Sequence, residues 1–213
     1  MQSRDASATM QYLTHTWVGE DPFASTRAVG ETLRPGMQLS PYEAHLLQWL
    51  VRISGAGNIL EIGSFIGYSA CWLAGGLPAS GTLTTLEKQP EYAALAHRHT
   101  RHDARLNLVE TDASDWLASY SGQPFDFLFI DGEKRRYAEY LDAALPHLTT
   151  QAWIVADNTL LFGTLAGIAT RNIAPETIAA MQQFNARLAD ARYFESVLLP
   201  TEEGLTVARR RAI

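Results

Sequence analysis

Short apolar runs alternate with amphipathic stretches along most of the chain, and glycine, proline or polar turn residues separate them. An apolar run between turn signals is typical of a buried strand, whereas apolar residues at helical spacing indicate an amphipathic helix. This pattern predicts seven strands, at residues 58–62, 81–87, 106–110, 125–131, 152–158, 195–200 and 204–211. Helices are predicted to begin near residues 41, 68, 91, 137 and 175.

The helix that begins at Pro41 has clear signals at both ends. Ser40 is a good N-cap residue, and proline is favoured at the first helical position. Gly55 and Gly57 follow the last apolar residue at helical spacing and are expected to end the helix.

Strands that alternate with helices are typical of a mainly parallel sheet covered by helices on both faces. The last two predicted strands are separated by a short turn, so they are expected to form an antiparallel hairpin. We therefore predict an α/β fold with a seven-stranded, mostly parallel sheet and a C-terminal antiparallel hairpin. In such a sheet, ligands bind beyond the carboxyl ends of the strands, where the strand order reverses.

The first 35 residues are turn-rich and do not follow this alternation. They are interpreted as an N-terminal cap or an arm on a partner subunit, and residues 36–213 as the functional domain. A chain of 213 residues is most simply one such domain.

Composition restricts the class of protein further. The formal net charge is −6, which argues against a general nucleic-acid-binding protein. The single cysteine, Cys71, cannot form an internal disulfide, so a reducing compartment is expected. Residues 1–10 lack an apolar signal-peptide core, and no apolar stretch is long enough to span a membrane. These features predict a cytoplasmic protein.

A glycine-containing turn follows the first predicted strand in the segment EIGSFIG, residues 61–67. Gly63 would let the backbone approach a ligand, and the next helix would offer free N–H groups. The spacing differs from the G-x-G-x-x-G of dinucleotide-binding proteins. This spacing, with Glu61 two residues before the first glycine, is taken to favour a carboxylate-bearing ligand over a pyrophosphate. The alternative is an ordinary strand–helix turn.

Glu87 ends the second predicted strand, 24 residues after Gly63. A carboxylate at this position can accept two hydrogen bonds from the diol of a ribose. The alternative is a solvated carboxylate at a strand end.

Three oxygen-bearing side chains follow the fourth and fifth strands. Asp131 ends one strand, and Asp157 and Asn158 end the next. If the strands are neighbours, the side chains converge, and two such close carboxylates favour a cation between them. Carboxylate and amide oxygens suit Mg²⁺, Mn²⁺ or Ca²⁺ rather than zinc. The alternative is that the aspartates cap the segments that follow.

Lys134 lies three residues after Asp131, close to the predicted metal site. A nearby divalent cation would lower the pKa of this lysine and make it a plausible general base. The alternative is a surface lysine beside Arg135 and Arg136.

Together these segments resemble one family, the cation-dependent O-methyltransferases of the catechol and caffeoyl-CoA type, which use S-adenosylmethionine. The resemblance covers about residues 36–211 and implies a Rossmann-like fold. The matching segments are LEIGSFIGYSA at 60–70, TLEKQPEYA at 85–93, TDASDWL at 111–117, FDFLFIDGEKRRYAEYL at 125–141, VADNTLLFG at 155–163 and LLPTEEGLTVARR at 198–210.

The resemblance implies a set of residues that bind S-adenosylmethionine, namely Met37, Glu61, Gly63, Ser69, Glu87, Asp112, Ala113 and Asp131. Three of them, Glu61, Gly63 and Ser69, would hold the amino-acid end of the cofactor. Glu87 would bind the ribose, and Asp112 and Ala113 would contact the adenine. Met37 would line the donor pocket.

The resemblance also implies the catalytic groups. Asp131, Asp157 and Asn158 match the metal ligands, and Lys134 matches the proposed general base. Tyr137 completes a K-x-x-Y pattern found in bacterial relatives. The expected reaction is methyl transfer from S-adenosylmethionine to a hydroxyl of a vicinal dihydroxy aromatic molecule, with Mg²⁺ as the first choice of metal. The expected partners are this small molecule and a second copy of the chain, without nucleic acid or membrane.

Two other functions remain open at the level of sequence. In the first, the methyl acceptor would be a hydroxylated nucleoside such as 5-hydroxyuridine in transfer RNA, and arginine side chains would form a basic surface that binds the RNA. Alternatively, the protein is a non-catalytic module that binds the cofactor. A nicotinamide-dependent oxidoreductase is a weaker possibility because the G-x-G-x-x-G spacing is absent.

Overall fold

In the computed structural model, residues 6–168, 172–201 and 203–211 are described. The helices of this part of the chain are α1 (Ala6–Leu13), α2 (Ala24–Leu33), α3 (Pro41–Ser54), α4 (Tyr68–Gly76), α5 (Pro90–Thr100), α6 (Ala113–Ser119), α7 (Tyr137–Ala144) and α8 (Pro175–Leu188). The strands are β1 (Asn58–Ile62), β2 (Thr82–Glu87), β3 (Leu106–Glu110), β4 (Phe125–Ile130), β5 (Leu148–Ala156), β6 (Phe194–Leu199) and β7 (Leu205–Arg210). A π-helix spans Thr14–Val18, and 3₁₀ turns span Lys134–Arg136, Leu145–His147 and Thr164–Ala166.

The seven strands form one sheet in the order β3-β2-β1-β4-β5-β7-β6. The first five strands pair in parallel, and β7 pairs antiparallel with both β5 and β6. This arrangement confirms the predicted α/β fold, including the terminal hairpin. The chain moves outward from β1 through β2 to β3, and then returns to place β4 on the other side of β1. The strand order therefore reverses between β1 and β4.

The central strand β4 shows why the sheet is covered on both faces. Phe127 and Phe129 pack into one apolar cluster, whereas Leu128 and Ile130 pack into the other. All four side chains are fully buried. Because successive side chains of a strand point to opposite faces, a continuous apolar run requires an apolar layer on each side.

Helix α3 begins and ends as its sequence signals predict. Glu43 N donates to Ser40 Oγ, and Ser40 N donates to the Glu43 carboxylate, which completes a capping box. At the other end, Gly55 adopts a left-handed conformation with φ of 69°. The structure thus fixes this helix immediately before β1.

The structure extends the sequence-based description at three places. The N-terminal segment contains α1, the π-helix and α2, although residues 1–5 of that predicted segment lie outside the described residues. Helix α6 was not anticipated. Strand β5 begins at Leu148 rather than at residue 152 and ends at Ala156, so Asp157 and Asn158 lie beyond the strand.

The N-terminal segment is attached to the domain through a specific contact. The hydroxyl of Tyr68, the first residue of α4, donates to Asp21 Oδ2 over 2.8 Å. Within the described ranges, no helix has the length and apolar character needed to cross a membrane.

Candidate active site

A cavity of about 620 Å³ opens at the carboxyl ends of β1, β2 and β4, where the strand order reverses. Most of the predicted site residues line it, and these are Met37, Gly63, Ser69, Glu87, Asp112, Ala113, Asp131, Lys134 and Asn158. The other two, Glu61 and Asp157, are buried rather than on the cavity wall. The fold therefore brings side chains from five different strand ends into one region.

Gly63 is required by a close approach of two backbone segments. Its φ is 94°, and a Cβ atom at this position would lie 2.2 Å from the carbonyl oxygen of Asp131. Gly63 N donates to Leu86 O, which joins the turn to β2. From the sequence, Gly63 is predicted to let a ligand approach the backbone; in the structure it also allows the turns after β1 and β4 to contact each other.

Glu61 is fully buried on β1 and accepts a hydrogen bond from the Thr85 hydroxyl. Burial raises the pKa of Glu61 to about 7, against the hydroxyls of Ser69 and Thr85, which lower it. The nearby carboxylates of Asp131 and Glu87 raise the pKa further. A group with this pKa gains or loses its charge easily when a cationic ligand group approaches.

Glu87 holds the glycine-containing turn in place. Its Oε2 accepts from Phe65 N over 2.8 Å, and its Oε1 accepts from Gln89 N over 2.9 Å. Burial raises the pKa of this carboxyl, although the backbone N–H groups lower it. Each carboxylate oxygen has a further lone pair, so the group can still accept a pair of hydroxyls from the cavity side.

Asp112 is fixed by Arg136, to which no role in the site was assigned from the sequence. Arg136 donates to both carboxylate oxygens, over 2.6 and 2.9 Å. Asp112 also caps α6 by accepting from Ser114 N. The Arg136 guanidinium lowers the pKa of Asp112 to about 2. Both carboxylate oxygens of Asp112 are thus engaged in hydrogen bonds within the protein, and the helix cap places Ala113 at the cavity wall.

The two predicted metal-binding aspartates lie side by side. Ile130 pairs with Ala156 across β4 and β5, so Asp131 and Asp157 follow neighbouring strands. Burial raises the pKa of Asp157 well above its usual range, and the charges of Asp131 and Glu43 raise it further. Two carboxylates in this arrangement disfavour a second negative charge unless a cation compensates.

Lys134 supplies one such positive charge. Its Nζ lies 2.8 Å from Asp131 Oδ1 and 3.0 Å from the hydroxyl of Tyr137. The Tyr137 hydroxyl in turn donates to the carbonyl oxygen of Asp157. Burial opposes the charge of Lys134, but attraction by Asp131, Tyr137 and Asp157 prevails and raises the pKa of the ammonium. With its amine protonated, Lys134 acts as a hydrogen-bond donor.

The residues present fit a divalent cation of the oxygen-binding type. In the described part of the chain, nothing donates a hydrogen bond to the buried Oδ1 of Asp157, which is therefore available as a ligand. No group of three or more His, Cys, Asp or Glu side chains among the described residues is placed to hold a metal. The predicted set is of another kind, two carboxylates and the amide of Asn158, and its hard oxygens suit Mg²⁺.

Several cavity residues were not found by sequence reasoning. Arg34 Nε donates to the Tyr92 hydroxyl, and the Tyr92 ring meets Phe65 edge-on at 4.7 Å between ring centroids. Phe162 and Glu203 also line the cavity. These five residues come from five separate segments, so no local spacing indicated that they belong to one site.

A mostly parallel sheet of this order, with an acidic residue at the end of β2 and a cavity at the switch point, is typical of Rossmann-like enzymes that bind a nucleoside-containing cofactor. Within that class, residues 25–211 match the O-methyltransferase family. A catechol O-methyltransferase from Niastella koreensis is 32% identical over 196 residues, which cover 87% of each chain.

Solved structures agree with this assignment. An O-methyltransferase from Bacillus cereus in complex with SAH is 27% identical, with a TM-score of 0.84 over 96% of this chain and 97% of that one. The O-methyltransferase TomG from Streptomyces achromogenes, in complex with SAM, is 26% identical, with a TM-score of 0.83 over 96% of each chain. The chain belongs to the O-methyltransferase family, which confirms the family assignment made from the motifs.

Proposed function

We propose that this O-methyltransferase moves a methyl group from S-adenosylmethionine to one hydroxyl of a vicinal dihydroxy aromatic small molecule. The observation that carries the proposal is that Glu87, the last residue of β2, and Asp131, the first residue after β4, line one cavity although their strands lie on opposite sides of β1. The first suits a ribose diol, and the second suits a divalent cation. The relative from Niastella koreensis is named for catechol, and the Bacillus and Streptomyces structures contain SAH and SAM.

The donor half of the site would be formed by residues that the structure already holds rigidly. Glu87 is fixed by two backbone N–H groups and offers its remaining lone pairs to the ribose. The Asp112–Arg136 pair fixes the start of α6, where Ala113 would contact the adenine. Glu61 and Ser69 would receive the charged amino-acid end, with Met37 along the wall of the cavity.

The acceptor half would be formed by Asp131, Asp157 and Asn158 as ligands for Mg²⁺, with Mn²⁺ or Ca²⁺ as alternatives. When bound, S-adenosylmethionine would supply the methyl group, and a divalent cation held by these residues would lower the pKa of an acceptor hydroxyl. Asp157 Oδ1 is buried and unpaired within the described residues, so it is preorganised for this role.

A divalent cation held by the neighbouring ligands would lower the pKa of Lys134, so that its amine would take or share the proton of the reacting hydroxyl. Its Nζ lies at the cavity wall, held by Asp131 and Tyr137. Met37 and Phe162 line the same cavity and would exclude water. Exclusion of water favours this reaction, because a cationic donor and an anionic oxygen neutralise each other as the methyl group moves.

The decisive experiment measures methyl transfer to catechol and to phenol, with and without EDTA. We expect catechol to be methylated and phenol to be inert, and EDTA to abolish turnover until Mg²⁺ is added. Asp157→Ala is expected to lose turnover while it retains SAH binding, and the exposed Asp142→Ala serves as a matched control. Full turnover of Asp157→Ala, or turnover unaffected by EDTA, would rule out the metal role.

The ion pairs of two arginines also favour a small acceptor over transfer RNA. Arg136 pairs with Asp112 and Glu139, and Arg105 pairs with Asp103, so neither offers an uncompensated charge. Salt-sensitive binding of undermodified transfer RNA, followed by methylation of it, would favour the nucleoside acceptor instead.

The protein is further proposed to act as a homodimer. Trp17 of the π-helix and Trp49 of α3 are each more than half exposed, and these two helices contact each other. Large exposed aromatic side chains favour a protein interface. Analytical ultracentrifugation is expected to show twice the chain mass, and Trp49→Glu to shift the protein toward the monomer. A wild-type monomer at micromolar concentration would contradict this proposal.

A further inference from the structure

Glu203, in the turn between β6 and β7, contacts a predicted metal ligand that is 45 residues away in the sequence. The side-chain amide nitrogen of Asn158 donates to Glu203 Oε2. Both residues line the cavity at the carboxyl end of β5. The family motifs include the segment around Glu203 but assign this residue no role.

The chemistry of the two groups fixes which end of the amide faces the cavity. An ionised carboxylate can only accept hydrogen bonds, so it must be met by the amide nitrogen of Asn158 rather than by its oxygen. The amide oxygen is then the end left for the cavity. Metal ions of the Mg²⁺ class bind amides through oxygen, so the orientation that Glu203 imposes is the one a metal ligand needs.

The backbone around this contact is held equally firmly. Asn158 has a left-handed φ of 56°, a conformation that asparagine adopts more readily than most residues. Thr159 N and Leu160 N donate to the carbonyl oxygens of Gly204 and Glu203, each over 2.9 Å. Gly204 itself has a φ of 82°, and a Cβ atom there would lie 2.7 Å from Leu160 N. The β6–β7 turn is therefore clamped onto the segment that carries Asn158.

We propose that Glu203 is a positioning residue that presents the Asn158 amide oxygen to the divalent cation. This inference rests on the metal site of the proposed function and adds a residue to it. Partners that orient a ligand without touching the metal typically change metal affinity by about 10- to 100-fold. Glu203 is thus expected to act on the affinity for metal and not on the affinity for the methyl donor.

The test compares two neutral replacements of similar length. Glu203→Gln keeps an oxygen that can accept from the Asn158 amide, whereas Glu203→Met has no side-chain oxygen. The readout is the dissociation constant of Mn²⁺, measured by electron paramagnetic resonance in the presence of SAH. We expect Glu203→Met to weaken Mn²⁺ binding about tenfold or more, and Glu203→Gln to stay within about threefold of the wild type.

Three controls separate the possible explanations. SAH binding and cooperative thermal unfolding show whether each variant is folded, and Glu203→Ala replaces Glu203→Met if the latter does not fold. Glu195→Gln removes a charge from an exposed position of β6 and is expected to change nothing. In the background of Asn158→Ala, the change Glu203→Met is expected to have no further effect, because the amide it orients is gone.

The outcomes distinguish this inference from the proposed function. If the wild type does not bind Mn²⁺, the metal part of the proposed function fails. If the wild type binds Mn²⁺ but Glu203→Met binds it equally well, only the role of Glu203 is refuted. Equal losses in Glu203→Gln and Glu203→Met would show that the charge of Glu203 acts rather than its hydrogen bond, and would also refute the role proposed here.

Discussion

The ammonium group of Lys134 lies 2.8 Å from Oδ1 of Asp131, and both side chains are largely buried. Asp131 is the first residue after β4, and Lys134 begins the 3₁₀ turn three residues later. The pair therefore depends on a short local segment. It places a hydrogen-bond donor and the carboxylate proposed to bind the metal at the same wall of the cavity.

Lys134→Met tests the proton-transfer role directly. We expect kcat to fall by about 100-fold or more, because a positioned acid–base group typically contributes that much. SAH affinity is expected to be unchanged, since no predicted donor contact involves Lys134. The measurement is kcat from pH 6 to 10 for the wild type and the variant. A variant with a wild-type rate across that range would exclude the role, and Arg135→Met is the neighbouring control.

Glu61→Gln is expected to stabilise the protein selectively at higher pH. Burial raises the pKa of Glu61 to about 7 in the folded chain from 4.5 in the unfolded one. Between these values the folded state binds the extra proton, so stability falls as the pH rises from about 5 to 8. The change for this group is on the order of 2 kcal/mol.

The check for Glu61 is urea unfolding at pH 5 and at pH 8. The advantage of Glu61→Gln over the wild type is expected to be larger at pH 8, where the wild-type carboxyl is charged and buried. An advantage that stays constant between the two pH values would show that Glu61 does not titrate in this range. Glu110→Gln, at an exposed position of β3, is the control for loss of charge.

Arg136→Met is expected to weaken SAH binding by roughly 5- to 10-fold, because a charge-assisted pair holding Asp112 is lost. The SAH affinity of Arg136→Lys is expected to lie between those of Arg136→Met and the wild type. Lysine cannot donate the two parallel hydrogen bonds to Asp112 that the guanidinium makes. Isothermal titration with SAH measures both. Unaltered affinity in Arg136→Met would mean that Asp112 does not shape the adenine site.

Gly63→Ala is expected to destabilise the fold by about 2 kcal/mol or more, because it combines an unfavourable φ with a backbone collision. Gly55→Ala is the matched control, since Gly55 also has a positive φ but its Cβ would meet nothing within 4 Å. Gly55→Ala is expected to cost only about 1 kcal/mol. Chemical unfolding measures the loss of stability in each variant. Equal losses would show that the collision with the Asp131 carbonyl oxygen adds no cost beyond that of the positive φ.

Local sequence was sufficient wherever one segment carries the whole signal. Ser40 and Glu43, which form the capping box, are three residues apart in the sequence. The residues of β4 include apolar side chains on both faces of the strand. The order of such segments gave the α/β fold and the family. It also placed Glu87, Asp131 and Asn158 at strand ends, because parallel strands deliver their carboxyl ends to one edge of the sheet.

The sequence by itself determined the elements, their order and the oxygen-bearing residues at the strand ends. Only the tertiary structure decided which partners hold those residues. Arg136 donates to Asp112, 24 positions away in the sequence, and Asn158 donates to Glu203, 45 positions away. The physical reason is that periodicity and capping act over a few residues along the chain. A hydrogen bond between distant segments depends instead on how the sheet and its loops pack, and no local pattern encodes that packing.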